Sequence, residues 1–137
     1  MTRLAETEII KSVAEKVKTA DGLVVGSPVY WASPSGEIIS FMDRLSSLAG
    51  KDLLHKPAAA IASARRAGTT ATLDVLAKYF TYHQMPVVSA NYWNVVHGNT
   101  PDEVKKDADC LLRWHHDCAL ANCRCKGFHR SLCISRQ

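Results

Sequence analysis

The chain has 137 residues, 47% hydrophobic and 22% charged, which suits one soluble globular domain burying roughly two-thirds of its unfolded surface. Its apolar runs fall far short of the roughly 18 residues that cross a membrane, and no basic-then-apolar leader opens it, so a cytoplasmic protein without a membrane partner is expected. The net charge of +4 does not indicate nucleic acid: residues 1–109 carry 12 basic and 12 acidic side chains, and residues 110–137, with five basic and one acidic, supply all of it.

Ile10, Val13, Ala14 and Val17 recur at helical spacing among lysines and glutamates, and "TADG" closes this first helix at Gly22. Leu23, Val24 and Val25 form an unbroken apolar run, the pattern of a strand covered on both faces. Ser33 and Pro34 then read as N-cap and first position of a second helix, with Ile38, Phe41, Met42, Leu45 and Leu48 as its apolar stripe.

After "GKDLLHKP", "AAAIAS" (58–63) reads as a second short strand from its length and flanks. Leu73, Leu76, Ala77 and Phe80 mark a third helix, and "PVVSA" (86–90) a third strand. "TPDE" (100–103) places Thr at N-cap, Pro at N1 and Glu at N3, a capping box that starts a fourth helix. Strands alternating with helices over crossovers of about a dozen residues imply a parallel sheet with right-handed connections.

Three loops, "SPVYWASPSG", "SARRAGTT" and "NYWNVVHGN", are then expected at the C-terminal ends of strands, where open α/β sheets bind ligands. Tyr30 and Trp31 read either as packing residues at a sheet end or as flat walls for a planar ring, with Pro28 stiffening the loop. Arg65 and Arg66 are either solvated charges or, before Gly68 and Thr69 at a helix start, partners for an anion or an electron-rich ring edge. His97 is either an ordinary loop histidine or a ligand or proton donor. No Ser/His/Asp arrangement, GxGxxG fingerprint or GxxxxGK[ST] loop occurs, which leaves chemistry carried by a cofactor as the better fit.

"ADGLVVGSPVYWASPSGEIISFMDRL", "KPAAAIASARRAGTTATLDVLAKYF" and "QMPVVSANYWNVVHGNTPDEV" resemble the NADPH-dependent FMN reductase family of flavodoxin-like proteins, which includes multimeric flavodoxins and iron–sulfur flavoproteins. The resemblance covers about residues 7–107. It implies an α/β, flavodoxin-like three-layer sandwich whose full parallel sheet has strand order 2-1-3-4-5. It also implies that Ser27, Pro28, Val29, Tyr30, Trp31 and Ser33 hold the FMN ring system. Ser63, Arg65, Arg66, Gly68 and Thr69 would flank the ring, and Tyr92 and His97 would close the far side. NAD(P)H is the implied electron donor, a small-molecule acceptor (a quinone or a flavin) the implied substrate, and a homo-oligomer the implied assembly.

The family's first strand, its phosphate-gripping S-P-R-x-x-G-N-T loop and its second strand have no counterpart in these residues, so a truncated domain with three strands is expected. Losing about three charge-assisted phosphate contacts would cost on the order of 5 kcal/mol, or three to four decades of FMN affinity. The alternative to an impaired enzyme is a non-catalytic flavodoxin-like fragment or association module.

Residues 1–109 are thus read as a partial flavodoxin-like domain and 110–137 as a divergent, poorly packed tail. All five cysteines (Cys110, Cys118, Cys123, Cys125, Cys133) lie in that tail, leaving a body that builds its core without disulfides, as a cytoplasmic protein does. A zinc module is the competing reading of the tail, but it has no CxxC pair, only Cys123-x-Cys125, so no metal is expected.

Overall fold

A computed structural model describes residues 2–89 and 92–106. The elements are α1 (Thr2–Thr19), β1 (Leu23–Tyr30), β2 (Ser33–Pro34), α2 (Gly36–Leu53), β3 (Ala58–Ala64), α3 (Thr69–Tyr82), β4 (Val95–His97) and α4 (Pro101–Lys106). The sheet runs β2-β1-β3-β4. β1 and β3 pair in parallel from Leu23↔Ala58 to Pro28↔Ser63, and β3 and β4 pair in parallel from Ala62↔Val95 to Ala64↔His97. The expected α/β class and parallel sheet hold; the expected count of three strands does not.

The fourth strand is β2, and the expected third strand is also displaced; both differences have a local cause. Ser33 and Pro34 do not begin a helix; they fold back antiparallel on β1, with Val29↔Pro34 and Tyr30↔Ser33 in register. A proline without an N–H is tolerated on such an edge strand. The helix starts two residues later, where Ser35 is the N-cap of α2 and its Oγ accepts the Ile38 N–H at 3.3 Å.

The strand expected at 86–90 is divided. Val87 makes one parallel bridge to Ala58, between an Ala58 N–H donated to Pro86 O (2.9 Å) and a Val88 N–H donated to Ala58 O (2.7 Å). Among the described residues the next backbone bond to β3 is the Ala62 N–H donated to Asn94 O (3.0 Å), immediately before β4. Buried Asn94 donates from Nδ2 to Val88 O (3.5 Å), tying the two segments together.

The core follows the apolar stripes. Ala14 and Val17 of α1, Met42, Leu45, Ala49 and Leu53 of α2, and Leu76 and Phe80 of α3 pack with Val25, Ala58 and Ala60 of the sheet. Burying side chains the size of Phe80 or Leu45 contributes about 1.5–3 kcal/mol each. The alanines of β3 are poor strand formers, but their small side chains let the helices approach the sheet closely.

Leu48, assigned to the α2 stripe, is exposed, and Ala49 occupies that side instead. Ala49 has non-helical angles (φ −117°, ψ 17°), so α2 kinks there. Next to it, a Cβ on Gly50 would stand 2.9 Å from Cε1 of His83, so glycine permits close contact between α2 and the end of α3. Farther along the same helix pair, the Tyr79 hydroxyl donates to Asp43 Oδ1 at 2.5 Å. Val24, expected in a strand covered on both faces, is 36% exposed, whereas Val25 on the helix-facing side is buried.

The capping box at α4 forms with one adjustment. The Glu103 N–H donates to Thr100 Oγ1 (3.3 Å), as expected, while the Glu103 carboxylate accepts from the Asn99 N–H (2.6 Å), one residue before the cap. No helix among the described residues is long and apolar enough to cross a membrane. The reading of 110–137 as a divergent tail lies outside the described residues.

Candidate functional site

The first loop emerges from β1 as a hairpin. Tyr30 and Ser33 face each other across a two-residue turn, Trp31–Ala32, with φ of 52° and 56°. Two successive residues at positive φ define a turn of the type normally given to Asn-Gly or Gly-Gly. For residues with a Cβ this conformation costs roughly 1–2 kcal/mol each. The turn displays its aromatics: Trp31 is fully exposed and Tyr30 is 60% exposed. Strain of this kind persists where the surroundings over-determine the backbone, and it concentrates at binding sites.

Two features fix the hairpin. Ser27, buried within β1, donates its hydroxyl to Pro28 O (2.8 Å) and accepts the Ser35 N–H (3.0 Å). On the other flank the turn rests against the second loop. Gly68 has φ 90°, and a Cβ there would lie 2.8 Å from Cα of Ala32 and 3.0 Å from Cγ1 of Val29. Only a glycine allows both the angle and the approach. Gly68 is also the N-cap of α3 and makes no side-chain cap bond, and Thr69, the first helical residue, is buried.

The second loop brings Arg65 and Arg66, both exposed, to the same edge as the aromatic turn. Pro28, Ser63 and Val96 form one row across three parallel strands, a span of roughly 10 Å at ordinary strand spacing. His97, half-buried, stands beside Ala64 one residue beyond that row.

Tyr92 is placed differently. Tyr92 and Trp93 precede β4, at its N-terminal end rather than beyond the C-terminal ends of the parallel strands. Their rings are 5.0 Å apart, tilted by 56°, and more than half exposed. The structure therefore brings the first and second loops into contact and adds His97 through β4, while Tyr92 precedes β4 beside Trp93.

Sequence reasoning did not single out Ala32, Ser35 or Asn94. The signal for Ser35 was the Ser-Pro-Ser-Gly run, in which either serine could cap. No local signal marked Asn94, whose side chain bonds back to Val88.

Among the described residues, no group of three or more His, Cys, Asp or Glu side chains could hold a metal ion. The Cys/His-rich segment lies outside them.

An open, mostly parallel α/β sheet with a strained aromatic turn and an arginine-bearing helix start at its strand ends defines a flavodoxin-like fold. Comparison with known proteins narrows the class: the profile of the NADPH-dependent FMN reductase family matches residues 2–100, and the chain belongs to that family. An iron–sulfur flavoprotein of Methanocaldococcus jannaschii is 32% identical over 106 residues, covering 72% of this chain and 55% of the relative. The chain thus spans about half the length of that curated relative.

Two solved structures share the fold at 19% identity. A flavodoxin, WrbA-like protein from Agrobacterium tumefaciens has a TM-score of 0.57 and is matched over 74% of this chain and 71% of its own. The Trp repressor binding protein from Bacillus subtilis has a TM-score of 0.62, with 75% and 67% covered.

The family is one of FMN-dependent flavoproteins, and the residues at this edge suit the ring end of FMN. Gly68 seats the turn against the second loop, two exposed aromatic side chains offer flat faces, and two guanidinium groups stand before a helix start. A phosphate grip of the S-P-R-x-x-G-N-T type is not in the 137 residues.

Proposed function

We propose that the chain binds the ring end of FMN at the edge shared by its first two loops. On this reading it acts as an oxidoreductase of the NAD(P)H:flavin or NAD(P)H:quinone reductase type. The observation that supports this reading is the seating of Gly68 on Ala32, which sets the Tyr30–Trp31 turn beside Arg65 and Arg66 in a chain of the FMN reductase family.

Bound FMN would supply the hydride chemistry; the chain supplies shape, exclusion of water and hydrogen bonds. Tyr30 and Trp31 offer faces for a planar ring, and Pro28, Val29 and Ser33 hold the loop that carries them. The start of α3 at Thr69, with Arg65 and Arg66 before it, favours electron density at the ring edge. Ser63 and His97 border the same edge from β3 and β4. Trp31 and Trp93 are proposed as walls that keep water from the nicotinamide, with Tyr92 beside Trp93. A homo-oligomer working in the cytoplasm is part of the same proposal.

Ring-end binding makes a specific demand on affinity. With no phosphate grip in these residues, FMN and riboflavin are expected to bind within about threefold of each other, since the phosphate adds little. Titration of each flavin, followed by quenching of its fluorescence, tests this. Sub-micromolar FMN affinity with far weaker riboflavin would overturn ring-end binding, and no saturable binding of either would overturn the site. NADH- or NADPH-dependent quinone reduction by the flavin-loaded chain would establish the reaction. Binding without turnover would make the chain a non-catalytic module.

A further inference from the structure

Ser27 carries an inference that rests on the proposed flavin site and deepens it. Its side chain is 4% exposed, so its hydroxyl is withdrawn from any ligand. Both hydrogen-bonding capacities of that hydroxyl are committed within the chain. It donates to Pro28 O at 2.8 Å, immediately before the hairpin, and accepts from the Ser35 N–H at 3.0 Å, immediately after it. Residues 28–34 are thereby closed into a loop by one oxygen atom.

Ser35 passes the constraint on: its own Oγ accepts the Ile38 N–H (3.3 Å) and its carbonyl accepts the Ile39 N–H (3.2 Å), so the latch is anchored in the first turn of α2. Inside the closed loop lie the two residues at positive φ, Trp31 and Ala32, which β2 pairs through only two positions. A two-residue ladder is a weak restraint on a strained turn. A buried hydroxyl bonded on both sides is a strong one, because breaking it leaves polar groups unsatisfied.

We infer that Ser27 is a positioning residue for the flavin-facing turn. Its hydroxyl holds the hairpin against Gly68, so that Trp31 and Tyr30 keep one presentation instead of sampling several. It acts on the ligand only through that turn.

The latch predicts behaviour in the unaltered chain as well as in variants. Amide exchange followed by NMR on the 137-residue protein is expected to show the Ser35 N–H protected by about a hundredfold or more. Exchange at the free-peptide rate would overturn the inference. Ser27→Ala is expected to remove that protection, move the Trp31 and Ala32 resonances and weaken FMN binding roughly tenfold. Ser27→Cys keeps the size but offers a poor acceptor, and should behave like Ser27→Ala. Ser27→Thr retains the hydroxyl and should restore both the resonances and the affinity.

Unmoved Trp31 and Ala32 resonances in both Ser27→Ala and Ser27→Cys would overturn the inference, as would Ser27→Thr failing to restore them. If the unaltered chain binds no FMN, the flavin reading falls by itself. The latch is then judged on the Ser35 exchange and the Trp31 and Ala32 resonances alone.

Discussion

Gly68 and Ala32 meet backbone to backbone: a Cβ on Gly68 would stand 2.8 Å from Cα of Ala32, closer than such atoms approach. The contact joins the turn after β3 to the turn after β1, which are 36 residues apart in the chain. Gly68→Ala is therefore expected to act twice, through a strained φ of 90° and through displacement of the hairpin. A loss of about 2 kcal/mol or more is expected in urea unfolding, with weaker FMN binding.

The hairpin itself should show opposed effects on stability and binding. Trp31 and Ala32 occupy positions that suit Asn and Gly, so the double variant Trp31→Asn, Ala32→Gly should relieve backbone strain. A gain of about 1–2 kcal/mol is expected. If the exposed Trp31 ring walls the flavin, the same variant should bind FMN less tightly. A thermal melt and a flavin titration on one sample check both halves.

Lys56 closes the end of α1. Its ammonium group donates to Val17 O (2.5 Å) and Lys18 O (3.2 Å), two carbonyls in the last turn of the helix, where i→i−4 partners run out. Lys56→Met keeps the apolar stem and removes the donor. A loss of about 1–2 kcal/mol is expected, seen as a lower urea midpoint at unchanged slope.

Tyr79 gives the chain a dependence on alkaline pH. Partial burial first, then its hydrogen bond to Asp43 and the charge of that carboxylate, push the phenol up from 10.0 to about 12. The folded state thus keeps its proton where the unfolded chain has lost it. This contribution is fully present below pH 10 and is lost as pH rises through about 12. Tyr79→Phe should flatten the part of the stability profile that falls between these values. An unchanged slope in denaturant midpoints over that window would count against the Asp43–Tyr79 contact.

The apolar stripes were legible because a helix repeats every 3.6 residues and its buried face must be apolar wherever it packs. Ala14, Val17, Met42, Leu45, Leu76 and Phe80 accordingly sit in the core as expected. The first two loops were legible for a related reason: glycine, proline and arginine at strand exits advertise turns and anion sites before any contact is known. Leu48 was misread because the buried face steps from Leu45 to Ala49 at i+4, and the small Ala49 takes the core position that the larger Leu48 at i+3 was given.

By itself the sequence determined the alternation of strands and helices, the parallel pairing that follows from it, and that the first two turns would share an edge, because these depend on local periodicity and chain connectivity. Tertiary structure decided what depends on partners distant in the chain. Ser33 and Pro34 became a strand because Val29 and Tyr30 offered them an edge, and the third strand divided because β3 bonds Val88 low down and Asn94 higher up. Backbone hydrogen bonds must be satisfied by whatever lies alongside, and no window of residues contains that neighbour.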